Sequence, residues 1–269
     1  MSSGAHGSRR LDLELAARGL ARSRSQAREL VRSGRVLVDG RVVDKPSEPV
    51  TGAQNVSLEE EDPWVSRAAH KLVGALDALA WTELGARALD AGASTGGFTQ
   101  VLLSRGVERV YSVDVGHDQL APRLRADPRV VVREGLNLRR LTLDDLEGRP
   151  VDLVVADVSF ISLTLLLEPL FAVVAPRGRA LLMVKPQFEV GRDRLGPGGV
   201  VRDENLRLRA VDAVVAAASA LGWTSTWRGT SPLPGPAGNI EYFVAFERAE
   251  ASRTGRPRES SEGPTRLRG

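Results

Sequence analysis

From residue 86 to residue 185 the sequence alternates short apolar, β-branched runs with stretches that suit a helix. The runs cover 86–90, 110–114, 130–132, 151–157 and 179–185. Strands joined by helical crossovers lie parallel in one sheet, with helices covering both faces. The expected architecture is therefore α/β, built on a mostly parallel, doubly wound sheet. A long helix over 204–221 then leads to strands near 223–228 and 242–247, and 64–80 reads as a helix joining this region to what precedes it.

The string Leu89-Asp-Ala-Gly-Ala-Ser-Thr-Gly-Gly-Phe98 closes the first run and opens a helix. Gly92, Gly96 and Gly97 let a ligand approach the backbone closely, and Ser94, Thr95 and Phe98 share the loop. The helix N-terminus behind it presents free N–H groups. The G-x-G-x-x-G spacing of a dinucleotide site is absent. Asp90 would also set a carboxylate beside a pyrophosphate, whereas a cationic ligand welcomes it. S-adenosylmethionine carries both a sulfonium and an α-amino group. Asp114, ending the second run, is placed to accept two ribose hydroxyls, and Asn137, after the third, to reach an adenine edge. Capping or turn formation would account for either acid alone. Both acids beside this glycine loop point to S-adenosylmethionine, and so to a Rossmann-like methyltransferase.

The basic residues comprise 34 arginines and three lysines, Lys45, Lys71 and Lys185. Where arginine supplies nearly every generic positive charge, a retained lysine is a candidate for work needing an ammonium that can lose its proton. Codon bias with neutral survivors is the competing explanation, so position has to decide. The chain has no cysteine, and His6, His70 and His117 are scattered, so neither a disulfide nor a structural metal site is expected. The best apolar stretch, 161–174, is cut by Glu168 and Pro169, and 1–10 lacks the apolar core of a signal peptide. These features point to a cytoplasmic protein without membrane or metal.

Between Ser8 and Lys45 ten basic residues face five acids, and 46–62 reverses this with five acids and no base. Leu11, Leu13, Leu15 and Leu20 suggest a first helix. Ser23 or Ser25 can cap a second, with Ala27, Leu30 and Val31 inward. Asp39-Gly40 between two β-rich runs signals a hairpin. Arg24, Arg28, Arg32 and Arg35 recur at helical spacing and read as a phosphate-backbone footprint, joined by Arg22 and Arg67. The string LARSRSQARELVRSGRVLVDGRVV resembles the S4 RNA-binding domain, which implies structured RNA as partner. The expected organisation is a disordered N-terminus (1–8), an S4-like domain and linker (9–62), a methyltransferase domain (63–248) and a disordered tail (249–269).

Methyl transfer to a ribose 2′-hydroxyl needs a base, because the hydroxyl is a very weak acid. A lysine with a depressed pKa, held by carboxylates, can serve. Lys71, Asp157, Lys185 and Glu241 supply a K-D-K-E set, with Asp157 and Lys185 at carboxyl ends of adjacent strands. The strings 64–72, 90–98, DVSFIS, VKPQFEVGRDRLGPGG and SPLPGPAGNIEYF resemble the TlyA (hemolysin A) family of ribosomal RNA cytidine 2′-O-methyltransferases, related to the FtsJ enzyme. The resemblance implies Lys185 as base, oriented by Asp157 and Glu241, with Lys71 acting electrostatically. It implies 16S or 23S rRNA in ribosomal subunits as substrate. The family commonly has Ser-Arg-Gly-Gly where this chain has Ser66-Arg67-Ala68-Ala69. Phe160 and Phe188 read first as core residues; with the 192–194 segment they have the chemistry to clamp a nucleotide. Pro232, Pro234 and Pro236 would stiffen the loop before Glu241. Rival functions are a non-catalytic RNA-binding assembly factor, a pore-forming haemolysin, which the missing apolar span disfavours, and a pseudouridine synthase, which needs no such glycine loop.

Overall fold

A computed structural model describes residues 8–59 and 62–249. The expected disordered ends, 1–8 and 249–269, lie outside the described residues except for Ser8 and Ala249. The chain divides between Pro63 and Trp64 into two units.

The first unit runs β1 (Arg9–Arg10), α1 (Leu11–Ala17), α2 (Arg24–Arg32), β2 (Val36–Val38), β3 (Arg41–Val42), β4 (Pro49–Val50) and β5 (Val56–Leu58). Leu11, Leu15, Ala27, Val31, Val36 and Val56 close its small core, while Leu20 lies beyond the end of α1. Ser23 is the cap of α2, its hydroxyl accepting the Gln26 N–H at 3.2 Å. The β2–β3 hairpin turns on Asp39 and Gly40, both at positive φ (50° and 78°), as a two-residue turn requires. Gly34, at φ 73°, lies beyond α2, so Arg35 sits off the helix at the entry to β2. The expected four-arginine helical face is thus a three-arginine one.

The second unit runs α3 (Ala68–Ala78), β6 (Arg87–Ala91), α4 (Gly97–Ser104), β7 (Arg109–Asp114), α5 (Pro122–Arg125), β8 (Val130–Glu134), β9 (Val151–Ala156), α6 (Leu167–Ala172), β10 (Val174–Val184), α7 (Pro186–Glu189), α8 (Glu204–Ala220), β11 (Trp223–Thr230) and β12 (Tyr242–Arg248). The sheet order is β11-β12-β10-β9-β6-β7-β8. The five strands from β10 to β8 are parallel, and β12 is antiparallel to both of its neighbours. Two expectations differ from this. The stretch after β8 forms only two 3-10 turns, at Leu138–Arg140 and Leu143–Leu146, and the joining helix is confined to α3.

Strand periodicity divides the core between the two faces of the sheet. Leu89, Tyr111, Val154, Leu182 and Val244 face α6 and α8. Ala88, Val110, Val155, Met183 and Phe243 face α3 and α4. Sequence order reverses between β6 and β9, so their carboxyl ends diverge to open the crevice in which such sheets bind ligands.

Candidate active site

Two residues define the floor of that crevice. The Asp157 N–H donates to Ala91 O at 3.0 Å across the divergence. Gly92 lies beside it at φ 86°, and a Cβ there would come within 2.8 Å of the Asp157 carbonyl. Only glycine fits, both for the left-handed backbone and for the close approach. A cavity of about 580 Å³ extends from this point, lined by Gly92, Ser94, Asp114, Asn137, Asp157 and Phe160. A narrower cleft of about 180 Å³ holds Thr95, Gly97 and Phe98 together with Asp157 and Lys185. Phe98 is itself buried, stacking on Phe243 with ring centroids 6.1 Å apart.

Asp114 fixes the loop. Its Oδ2 accepts from the Ser94 N–H at 2.8 Å and its Oδ1 from the Gly116 N–H at 2.7 Å. Asn137 caps the next 3-10 turn, its Oδ1 accepting from the Arg139 N–H at 3.0 Å. Two expected ligand contacts are placed elsewhere. Gly96 is enclosed by Leu120 and Leu124. Asp90 shares the parity of Ala88, so its side chain enters the α4 face and not the cavity. It is fully buried, accepts from Thr99 Oγ1 at 2.7 Å, and its second oxygen has no hydrogen-bond partner among the described residues. Burial pushes its carboxyl up to about 7, against the lowering effect of the Thr99 hydrogen bond. Asp90 therefore shapes the loop from beneath.

The four tetrad candidates gather on the α3 side of the carboxyl strand ends as two pairs. Leu182 pairs with Ala156, so Lys185 projects just past Asp157. Lys185 Nζ lies 2.6 Å from Asp157 Oδ1 and donates to Ser159 Oγ at 2.8 Å. Lys71, on α3, sets its Nζ 2.5 Å from Glu241 Oε2, with side chains 8% and 1% exposed. Gln187 Nε2 donates to Glu241 Oε1 at 3.4 Å. This corrects one expectation: Glu241 holds Lys71, and Lys185 is held by Asp157 and Ser159. Antiparallel register puts residue 241 opposite residue 185, one pair beyond Val184 and Tyr242. The partner that the resemblance implied for Glu241 is therefore not the lysine its carboxylate meets.

A second cavity, of about 540 Å³, adjoins the first along Ser159, Phe160 and Ile161, and is lined by Lys185, Gln187, Phe188 and Glu241. Phe160 is 93% exposed, at φ 65°, with its ring 5.4 Å from that of Phe188. It is no core residue, contrary to the expectation from sequence; a strained, solvent-exposed aromatic at a site boundary suits ligand contact. Glu189 braces this wall, accepting from Ser162 Oγ at 2.6 Å and the Leu163 N–H at 2.7 Å. Sequence reasoning missed Ser159, Gln187 and Glu189, although all three lie inside the DVSFIS and VKPQFE strings.

Of the expected RNA-contacting arginines, Arg22, Arg24, Arg32 and Arg67 are exposed and Arg28 and Arg35 half-buried; Arg24 and Arg28 each donate from Nε to Asp12. Among the described residues no group of His, Asp and Glu is placed to hold a metal, and no helix is long and apolar enough to cross a membrane.

Residues 64–248 match the family described as FtsJ-like methyltransferase, and residues 9–56 the S4 domain. A Mycobacterium tuberculosis protein named 16S/23S rRNA (cytidine-2′-O)-methyltransferase TlyA is 55% identical over 237 residues, covering 87% of this chain and 88% of that protein. A hemolysin-named structure from Streptococcus thermophilus superposes with a TM-score of 0.70 at 35% identity, covering 92% of this chain and 90% of that one. An S-adenosylmethionine dependent methyltransferase from Mesorhizobium loti shares the fold, with a TM-score of 0.51 at 15% identity over 66% of this chain and 98% of that one.

Proposed function

Because the chain belongs to the TlyA family of FtsJ-like methyltransferases, we propose that it methylates the ribose 2′-hydroxyl of a cytidine in ribosomal RNA, using S-adenosylmethionine. The reading rests above all on one observation: two lysine–carboxylate pairs border a glycine-floored cavity at the switch point of the sheet.

The cofactor site fits its ligand in three ways. Gly92 leaves the close approach open, the adjoining cavity of about 580 Å³ has room for a nucleoside, and Asp114 and Asn137 line it with acceptor oxygens. When bound there, S-adenosylmethionine supplies the electrophilic methyl group. Gly92, Ser94, Thr95 and Gly97 would hold it, with Asp114 toward the ribose and Asn137 toward the adenine. Asp90, Gly96 and Phe98 would support the loop from behind.

Lys185 is the base in this reading. An amine nitrogen has two N–H bonds and one lone pair. With one hydrogen donated to Ser159 and the Asp157 carboxylate 2.6 Å from the nitrogen, the lone pair is left for the proton of the 2′-hydroxyl. Asp157 then faces the ammonium that forms and stabilises it. Lys71 lends positive charge to the site, and Glu241 and Gln187 fix its position. Phe160 and Phe188 wall the second cavity, where a base splayed from the RNA would stack. The first unit would grip the RNA backbone with Arg22, Arg24, Arg28 and Arg32, supported by Arg35, and the second unit would meet RNA with Arg67. A ribosomal substrate places the protein in the cytoplasm.

The test is transfer of labelled methyl to purified ribosomal subunits lacking the modification, with wild type and Lys185→Ala in parallel. Label mapped to a cytidine 2′-oxygen, and lost in the variant, is expected. Absence of label on either subunit, despite cofactor binding, would overturn the assignment.

A further inference from the structure

An acid in the first turn of a helix is ordinary, but the burial of Asp12 in α1 is not. The residue is fully buried, and three arginines converge on its carboxylate. Arg10 grips it with two hydrogen bonds, from Nε at 3.0 Å to Oδ1 and from Nη2 at 3.1 Å to Oδ2. Arg24 and Arg28, one turn apart on α2, each donate only from Nε, at 3.1 Å to Oδ2. The arginine side chains remain 44%, 48% and 43% exposed in chain order.

Two consequences follow from charge and geometry. One carboxylate faces three guanidiniums, which leaves two positive charges uncompensated. Glu29 is the only acid on α2. Binding through Nε also fixes the plane of each guanidinium, and among the described residues both Nη groups of Arg24 and Arg28 are left to donate. Paired Nη donors match two oxygens of a phosphate, a geometry that lysine lacks.

We propose that Asp12, Arg24 and Arg28 form a preorganised site for an RNA backbone phosphate, with Asp12 as the positioning residue that aims the two arginines outward. The inference rests on the RNA-directed reading above and names the subsite through which the first unit engages its substrate. Arg10 completes the collar around Asp12. The phosphate supplies the second anion that the three guanidiniums lack. Since the rotamers are fixed before RNA arrives, less side-chain entropy is lost on binding.

The discriminating experiment is Asp12→Asn in the full chain, with binding to ribosomal subunits measured by filter retention across a salt series. Charge alone predicts tighter binding, because the variant gains a net positive charge. Positioning predicts the opposite: a roughly five- to tenfold weaker Kd, with KM for subunits raised and kcat unchanged. The salt slope should fall by about one unit for each phosphate that the variant no longer neutralises. Arg28→Lys is the second variant. It keeps the charge and lies on the surface, yet cannot bind Asp12 and present a fork together, so it should weaken binding as well. It decides the matter alone if Asp12→Asn does not melt cooperatively. Binding by both variants at wild-type strength or tighter would overturn the site. Wild-type methylation, run alongside, separates the two readings. A wild type that labels no RNA overturns the activity, whereas label with variant binding unchanged overturns only the phosphate site.

Discussion

Replacing Glu241 by leucine removes one member of the most deeply buried ion pair in the second unit. Lys71 Nζ lies 2.5 Å from Glu241 Oε2, with only 8% and 1% of the two side chains exposed. At an effective dielectric of about 20, two unit charges at that separation attract by about 7 kcal/mol before desolvation is subtracted. The penalty of burying both ions offsets much of this, and breaking such a pair from one side costs about 3–5 kcal/mol. For a unit of this size that corresponds to a fall in melting temperature of roughly 6–20 °C. Lys71→Met combined with Glu241→Leu leaves no unpaired charge and should recover most of the loss, since apolar residues of similar volume replace buried pairs at little cost. Circular-dichroism melts of both variants give the comparison, and methyl transfer should be absent from each. If the double variant melts as low as the single one, the pair does not act through mutual charge compensation and the reasoning fails. A single variant that melts with the wild type would refute it as well.

Gly92→Ala should destabilise by at least about 1–2 kcal/mol and abolish cofactor binding measured by calorimetry, because its Cβ would meet the Asp157 carbonyl. Phe160→Ala should leave the melting free energy within about 0.5 kcal/mol, since the ring is 93% exposed. The same variant should lose about 1–3 kcal/mol of RNA affinity if the ring stacks on a base. Asp90 carries its proton up to about pH 7 in the folded chain, above its ordinary value of 3.8. The folded state then binds more protons than the unfolded one between these values, so stability should fall as pH rises from about 4 to about 7. Asp90→Asn should flatten that part of the melting profile, and an unchanged slope would assign it to another group.

Much of the fold was legible because its determinants are local. Alternating apolar runs announce a parallel sheet, and Asp39-Gly40 announces a turn needing two positive φ values. The glycine loop was legible for the same reason, since Gly92 answers to a backbone angle and a single close approach. Strand parity also carries information. Residues 153, 155 and 157, then 181, 183 and 185, then 241, 243 and 245 follow one alternation, which sets Asp157, Lys185 and Glu241 on a common face.

What the sequence by itself determined was therefore which residues stand at the carboxyl end of the sheet and on which side. Tertiary structure alone decided which lysine met which carboxylate. α3 crosses that face and delivers Lys71 from 170 residues away to Glu241, and no pattern in either segment records the meeting. The same holds for Asp12, which gathers three arginines and engages through Nε two members of the face that helical spacing presented as a phosphate footprint. It holds also for the partner of Asp90, since only packing sets the Thr99 hydroxyl 2.7 Å from its carboxylate. Periodicity and backbone angles are set over a few residues, and so can be read from them. Charge pairing is set by distance in space, which only the packed chain supplies.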